Sequence, residues 1–247
     1  MQTTSSNEFS RLSPPFVSRR EEAGELQRLH SQRKHALLLG PEGAGKTALV
    51  SHLKEELPLL ACPQSENLGT ICESLEGELG QDSSGLKLPQ RKQRLFRALA
   101  GAKRTVVFDG VGWTTPKLSS FLEGVMERVP IWICTRSEHP WDIGHFWPLL
   151  VRFARVELRP FHLHETHLLV AAVVERGIAP AEALEIVGWL YRTSVGNPGR
   201  LCKLLNELAN GHYDVSNPRS LRLLKLDYCI HDVFPAHVAD RAAKGWS

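Results

Sequence analysis

The chain has 247 residues, of which 42% are hydrophobic and 23% charged, and its formal net charge is +3. That length holds one sizeable core or a main domain with a smaller companion, and a charge of +3 is too small to imply a nucleic-acid partner by itself. No stretch approaches the roughly eighteen uncharged apolar residues of a membrane helix. The five cysteines, at 62, 72, 134, 202 and 229, form neither a C-x-x-C pair nor a zinc spacing, which excludes a disulfide scaffold and predicts reduced core thiols in a cytoplasmic protein.

The first ten residues, MQTTSSNEFS, are polar, so no secretory leader is expected. Residues 1–15, ending in Pro14-Pro15, read as a mobile arm. Glu21–Leu29 predicts a short helix with acids in its first turn. Ala36–Leu39 is an unbroken apolar run before a glycine, the pattern of a buried strand. Ala48–Leu57 predicts a helix stopped by Pro58, and Leu59–Cys62 a second strand. Leu68–Leu79 and Gln90–Ala100 predict two helices. Thr105–Phe108, Pro130–Cys134 and Arg155–Leu158 predict three further strands. Strands alternating with helices argue for an α/β fold with a parallel sheet covered on both faces. After Pro160 the pattern changes to three amphipathic segments, His164–Arg176, Pro180–Arg192 and Pro198–Asn210, with no strand between them. The expected organisation is therefore an arm (1–15), a core (16–160), a helical lid (161–210) and an unassigned tail (211–247). His162, His164 and His167 have no matching cluster at metal-ligand spacing and read as solvated or core side chains.

The stretch GPEGAGKT carries the chemistry. Gly40-x-x-x-x-Gly45-Lys46-Thr47 fits the Walker A pattern, between a predicted strand and a predicted helix. Chance gives this pattern in a chain of this length on the order of one time in a hundred, and the strand–loop–helix context lowers that further. Its glycines let successive backbone N–H groups turn inward on a phosphate. Lys46 is placed to bridge β- and γ-phosphates, and the Thr47 hydroxyl to ligate magnesium. Gly40, Pro41, Glu42, Gly43, Ala44, Gly45, Lys46, Thr47 and Ala48 form the expected nucleotide-binding set. A magnesium site also needs a carboxylate at the end of a neighbouring strand, and Asp109, closing Thr105–Phe108, is the Walker B candidate. ATP and Mg2+ are thus the expected cofactors.

The order of four motifs resembles the AAA+ superfamily of P-loop ATPases, in the branch shared by the STAND signalling ATPases and the origin-recognition-like ATPases. Phe16-Val17-Ser18-Arg19 with Glu21-Glu22 is similar to an F-V-G-R-E segment, with Ser18 in place of glycine. The Walker A loop follows. Ile131–Arg136 is similar to a sensor 1 strand, and Val195-Gly196-Asn197-Pro198-Gly199-Arg200-Leu201 to the G-x-P turn opening the last lid helix. The resemblance implies that Phe16, Val17 and Pro198 pack on the adenine. It further implies that Arg136 and Arg200 read the γ-phosphate, and that ATP drives self-association with Arg152 or Arg155 reaching a neighbouring subunit.

Asp109 is followed by Gly110-Val111-Gly112, where active members of this superfamily carry a second acid, usually glutamate. General-base catalysis contributes roughly a hundred- to ten-thousandfold, so its loss predicts slow turnover with binding intact. Glu42 is the one obvious substitute. The leading reading is a nucleotide-dependent switch with slow hydrolysis that binds protein partners or its own copies. A second is a DNA-associated ATPase adaptor. No acidic residue stands between Asp82 and Asp109, and Arg91, Arg94 and Arg97 would form a basic stripe on one helix face. A weaker third is a P-loop kinase, which the helical lid argues against.

Overall fold

The computed structural model describes residues 16–65, 67–211 and 213–233, so the expected N-terminal arm lies outside the described residues. The chain divides into two compact units, one spanning Arg19–Arg159 and the other taking in the described residues on either side of it.

The first unit is built on five short strands, β1 (Ala36–Leu39), β2 (Leu59–Cys62), β3 (Thr105–Phe108), β4 (Ile131–Thr135) and β5 (Ala154–Glu157). All pair in parallel, in the order β2-β3-β4-β1-β5. Parallel neighbours require crossovers, and these place helices on both faces of the sheet. The helices are α1 (Arg20–Ser31), α2 (Lys46–Lys54), α3 (Leu68–Glu78), α4 (Leu88–Leu99), α5 (Pro116–Met126) and the short α6 (Pro140–Ile143). Double cover explains why β3 and β4 are buried along their whole lengths and read as continuous apolar runs. Leu37, Phe108, Ile133 and Phe121 form the centre of this core. The carboxyl ends of β1, β3 and β4 lie side by side, and in open parallel sheets that edge is where ligands bind.

Each predicted strand is present within one or two residues. Three differences concern helices. α2 ends at Lys54, before Leu57, because a residue preceding proline is driven out of the α region. The chain leaves through a turn in which the Leu57 N–H still donates to the Leu53 carbonyl at 2.8 Å. α5 was unassigned in the sequence, although Thr115 caps it by accepting the Leu118 N–H and Pro116 occupies its first turn. The segment Pro180–Arg192 is not one helix: a 3₁₀ turn, Ala181–Leu184, precedes α8 (Val187–Ser194). Adjacent β-branched Ile186 and Val187 followed by Gly188 make this junction a poor helix interior.

The second unit holds α7 (Leu163–Glu175), α8, α9 (Pro198–Asn210) and α10 (Pro218–Val233) around Val170, Leu190, Leu204 and Leu224. α10 falls in the segment left unassigned at sequence level, and it packs on this core through Leu224 and Tyr228. Val17 packs on the same cluster, so residues 16–18 go with the helices and not with the sheet. Ser18, standing where the family pattern has glycine, adopts φ 64°. That is a left-handed backbone that glycine takes without cost. Its hydroxyl donates to the Glu165 carboxylate, which helps hold the position.

Among the described residues no helix is long and apolar enough to cross a membrane, and no group of three or more His, Cys, Asp or Glu side chains could hold a metal ion. Cys62, Cys72 and Cys134 are buried and free, as expected of core thiols, whereas Cys229 is exposed.

Candidate nucleotide-binding site

The glycine-rich loop runs from the end of β1 into the first turn of α2. Gly45, the residue before the helix, has φ 94°, a conformation that side chains strongly disfavour. Gly40 has little room beside it: a Cβ there would sit 3.1 Å from that of Ala44 and 3.2 Å from that of Leu158. The loop therefore closes tightly over the end of β1 and leads into a helix N-terminus, whose backbone N–H groups and dipole favour an anion.

Lys46 is half-buried. Its ammonium donates to the carbonyls of Gly40 at 2.6 Å and Pro41 at 3.0 Å. Burial holds its pKa below the ordinary lysine value, while the Asp109 carboxylate opposes that shift. Carbonyls are modest partners for an ammonium, and a phosphate oxygen is a stronger one. Beside it, the Thr47 hydroxyl donates to a carboxylate oxygen of Asp109 at 2.6 Å, so β3 delivers Asp109 to the position the sequence assigned it. Its own N–H donates to the Cys62 carbonyl at 2.9 Å. Arg136, directly after β4, pairs with Glu42 of the loop at 3.0 Å, both side chains well exposed. Thr135, the polar end of β4, is buried and donates to the Ser137 carbonyl.

Two further contributors were not assigned a role from sequence. Cys134, read as an ordinary core thiol, is fully buried against Asp109; burial first, and then the Asp109 charge, hold its pKa well above the usual thiol value. It stays protonated and adds no charge beneath the magnesium candidate. Arg19 is the other. Buried on its α1 side, it donates to the loop carbonyl of Ala44 at 3.2 Å and to that of Arg159 at 2.6 Å, and pairs with Glu22 at 3.0 Å. It ties the phosphate loop's backbone to the residues after β5. Its place in the F-V-x-R-E pattern was the available signal.

Loop N–H groups, one ammonium, one hydroxyl and one carboxylate are the donor set that a triphosphate with a hard divalent cation requires. The remaining predicted residues belong to the helical unit. Phe16 and Val17 are half-buried there, Pro198 occupies the first turn of α9, and Arg200 is exposed with its N–H donating to the Asn197 side chain. The arginines of the expected basic stripe are a correction. Arg91 forms a double hydrogen bond to Glu76, with closest approach 2.6 Å and side-chain exposures of only 17% and 7%. Its guanidinium holds the Glu76 carboxyl below the usual range. Arg94, itself exposed, donates to the Asp82 carbonyl, and Arg97 is exposed.

A parallel sheet in the order β2-β3-β4-β1-β5, with a glycine-rich loop after β1 and an aspartate after β3, defines a P-loop NTPase fold of the AAA+ type. Solved structures agree. The Aeropyrum pernix Orc1 protein, solved in complex with DNA, superposes with a TM-score of 0.60 at 15% identity, over 78% of this chain and 60% of that one. Cdc6p from Pyrobaculum aerophilum gives 0.62 at 16%, over 80% and 64%. A Walker-type ATPase of Pyrococcus abyssi gives 0.60 at 15%, over 93% and 77%. At such identities the likeness is one of fold, and the chain spans less than two thirds of the first two proteins. No protein-family model matches the chain, and no curated protein matches it.

Proposed function

We propose that this protein is an ATP-binding switch of the STAND or origin-recognition-like kind, with slow hydrolysis. The observation that carries this reading is the Thr47–Asp109 hydrogen bond at 2.6 Å beside Lys46. It joins two motifs 62 residues apart in the chain into one cation-binding corner. In this reading the loop N–H groups and Lys46 hold the phosphates, and Thr47 and Asp109 hold the magnesium ion. The bound magnesium supplies charge neutralisation of the phosphates. Arg136 exchanges Glu42 for the terminal phosphate. Such an exchange is easy because an exposed ion pair is worth only about 0–1 kcal/mol.

Slow turnover follows from Gly110 and Gly112, which put no carboxylate after Asp109 to orient water. Self-association in the ATP state is part of the proposal, with exposed Arg152 the better candidate to reach a neighbour, since Arg155 is paired with Glu138. Phe16, Val17, Pro198 and Arg200 are assigned to the base and the terminal phosphate by resemblance. The DNA-adaptor reading is weakened by the pairing of Arg91 and Arg94 within the fold.

Size-exclusion chromatography with light scattering, on protein with ATP, with ADP and without nucleotide, tests the switch. The expected result is a larger species with ATP alone, abolished by Arg152→Ala. One mass in all three conditions contradicts a switch that works by assembly.

A further inference from the structure

Arg19 holds one atom of the glycine-rich loop, the Ala44 carbonyl oxygen, and that atom sets where a loop N–H can point. The chain enters α1 at Arg19 in the left-handed region, with φ 65° and ψ 25°. A non-glycine residue keeps such a backbone where its surroundings fix it, often beside a functional site. Here the side chain supplies the fixing. Only 6% exposed, its guanidinium spreads its donors over three parts of the chain. One terminal nitrogen meets Glu22 at 3.0 Å, and the other donates to the carbonyls of Arg159 at 2.6 Å and Ala44 at 3.2 Å.

Ala44 is the residue before Gly45. Its N–H donates to the Pro41 carbonyl at 3.1 Å, which closes the turn on one side. Its own carbonyl is the acceptor for Arg19. The Ala44–Gly45 peptide is trans, and in a planar trans peptide the C=O and N–H point in opposite directions. A carbonyl held toward Arg19 therefore turns the Gly45 N–H away from it. That N–H has no hydrogen-bond partner among the described residues, and a backbone donor left unpaired is satisfied by water or by a ligand.

This orientation needs holding because glycine makes it soft. A Cβ on Gly45 would meet nothing within 4 Å, so glycine stands there for its φ of 94° and not for space. The same freedom lets the preceding peptide flip, since glycine takes positive and negative φ about equally. A flipped peptide would aim the Ala44 carbonyl where the N–H had been, and its negative end repels an anion. The Arg19 bond opposes that flip, because turning the carbonyl away strips a buried guanidinium of an acceptor. Lysine lacks the planar fork that reaches Glu22 on one side and two carbonyls on the other.

We propose that Arg19 is a positioning residue for phosphate: by holding the Ala44 carbonyl it keeps the Gly45 N–H directed at a phosphate oxygen of the bound ligand. The proposal rests on the reading of this loop as a nucleotide site and adds to it a side chain that acts through the loop backbone.

The Ala44–Gly45 step can be watched directly. The sequence has three Ala–Gly steps, at 23–24, 44–45 and 100–101. Protein carrying carbonyl-13C alanine and 15N glycine therefore gives three cross-peaks in a two-dimensional HNCO spectrum. When magnesium ADP is added to the wild-type chain, one of them is expected to move downfield in its amide proton, the direction a short charge-assisted hydrogen bond gives. Arg19→Lys keeps a cation opposite Glu22 and replaces Arg19→Ala should thermal melts show that the alanine variant does not fold. In either variant the same cross-peak is expected to be displaced before ADP is added and to lose most of its downfield movement at saturation. ADP affinity, read by calorimetry, is expected to fall about ten- to a hundredfold, the scale of one hydrogen bond to a charged group. A folded variant that binds ADP as tightly as wild type, with the same movement, overturns the proposal. So does weakened affinity with full movement at saturation, since Arg19 would then act through stability alone. Wild-type chain that binds no ADP is a separate result: it overturns the nucleotide reading, and the proposal falls with it.

Discussion

The glycine-rich loop and helix α4 both present cations in suggestive patterns, and the fold uses them in opposite ways. Lys46 rests on two backbone carbonyls that a phosphate would replace, beside Thr47 and Asp109. Arg91 is locked on Glu76, nearly out of water. A cation whose partners can be exchanged for better ones is available for binding; a cation that neutralises a buried acid belongs to the fold. Charge in sequence does not separate the two, whereas the backbone context does.

The sharpest way to break this comparison is at Lys46. Lys46→Ala is expected to weaken ATP binding about a hundredfold, the scale of one lost charge-assisted contact at its upper end, with little change in melting temperature. Titration with a fluorescent ATP analogue reads the first quantity and a thermal melt the second. Affinity equal to wild type would remove the loop from the account.

The complementary change is Arg91→Ala. It leaves Glu76 buried without its partner, and an expected loss of about 2–3 kcal/mol of stability follows, measured by urea unfolding. Nucleotide affinity should not change. An Arg91→Ala protein as stable as wild type would return this arginine to the surface and revive the basic stripe.

A third, smaller effect concerns pH. His35 Nδ1 accepts the Ile131 N–H at 3.1 Å, a role open only to an unprotonated nitrogen. Burial first, with Arg152 adding, lowers its pKa from 6.5 to about 4. The unfolded chain therefore takes up a proton between pH 6.5 and 4 that the folded chain refuses, and stability falls as pH drops through that window. The expected loss is roughly 2 kcal/mol, discounted for partial exposure, with buried-side His30 shifted in the same direction. His35→Gln keeps an acceptor and should flatten most of the slope in acid unfolding curves; an unchanged slope assigns it to other groups.

These contrasts explain what was legible in the sequence. Strands β1, β3 and β4 were readable because burial on both faces makes them plain apolar runs. The meeting of Thr47 with Asp109 was readable because each follows a strand of one parallel sheet, at the points where the proposed phosphate site needs those residue types. α5 carried a readable signal in Thr115-Pro116, a capping hydroxyl followed by a first-turn proline. Arg91 could not be read correctly, because its partner Glu76 sits on a different helix and only packing brings them together.

The smallest expected effect is none. Replacing Arg94 and Arg97 with glutamine should leave any duplex DNA binding and its salt dependence unchanged. Had three arginines including Arg91 contacted phosphates, the slope of log affinity against log salt would change by about two to three units on their loss.

The central claim, a site that holds ATP far better than it consumes it, is tested most directly by measuring stoichiometric ATP binding and steady-state phosphate release on one sample with magnesium. Typical enzymes turn over at about 10 per second, and loss of a general base takes two to four powers of ten from that. The account predicts one ATP per chain and turnover between about 0.001 and 0.1 per second, both lost in Lys46→Ala. Turnover at an ordinary enzymatic rate, or no ATP bound at millimolar concentration, would contradict it.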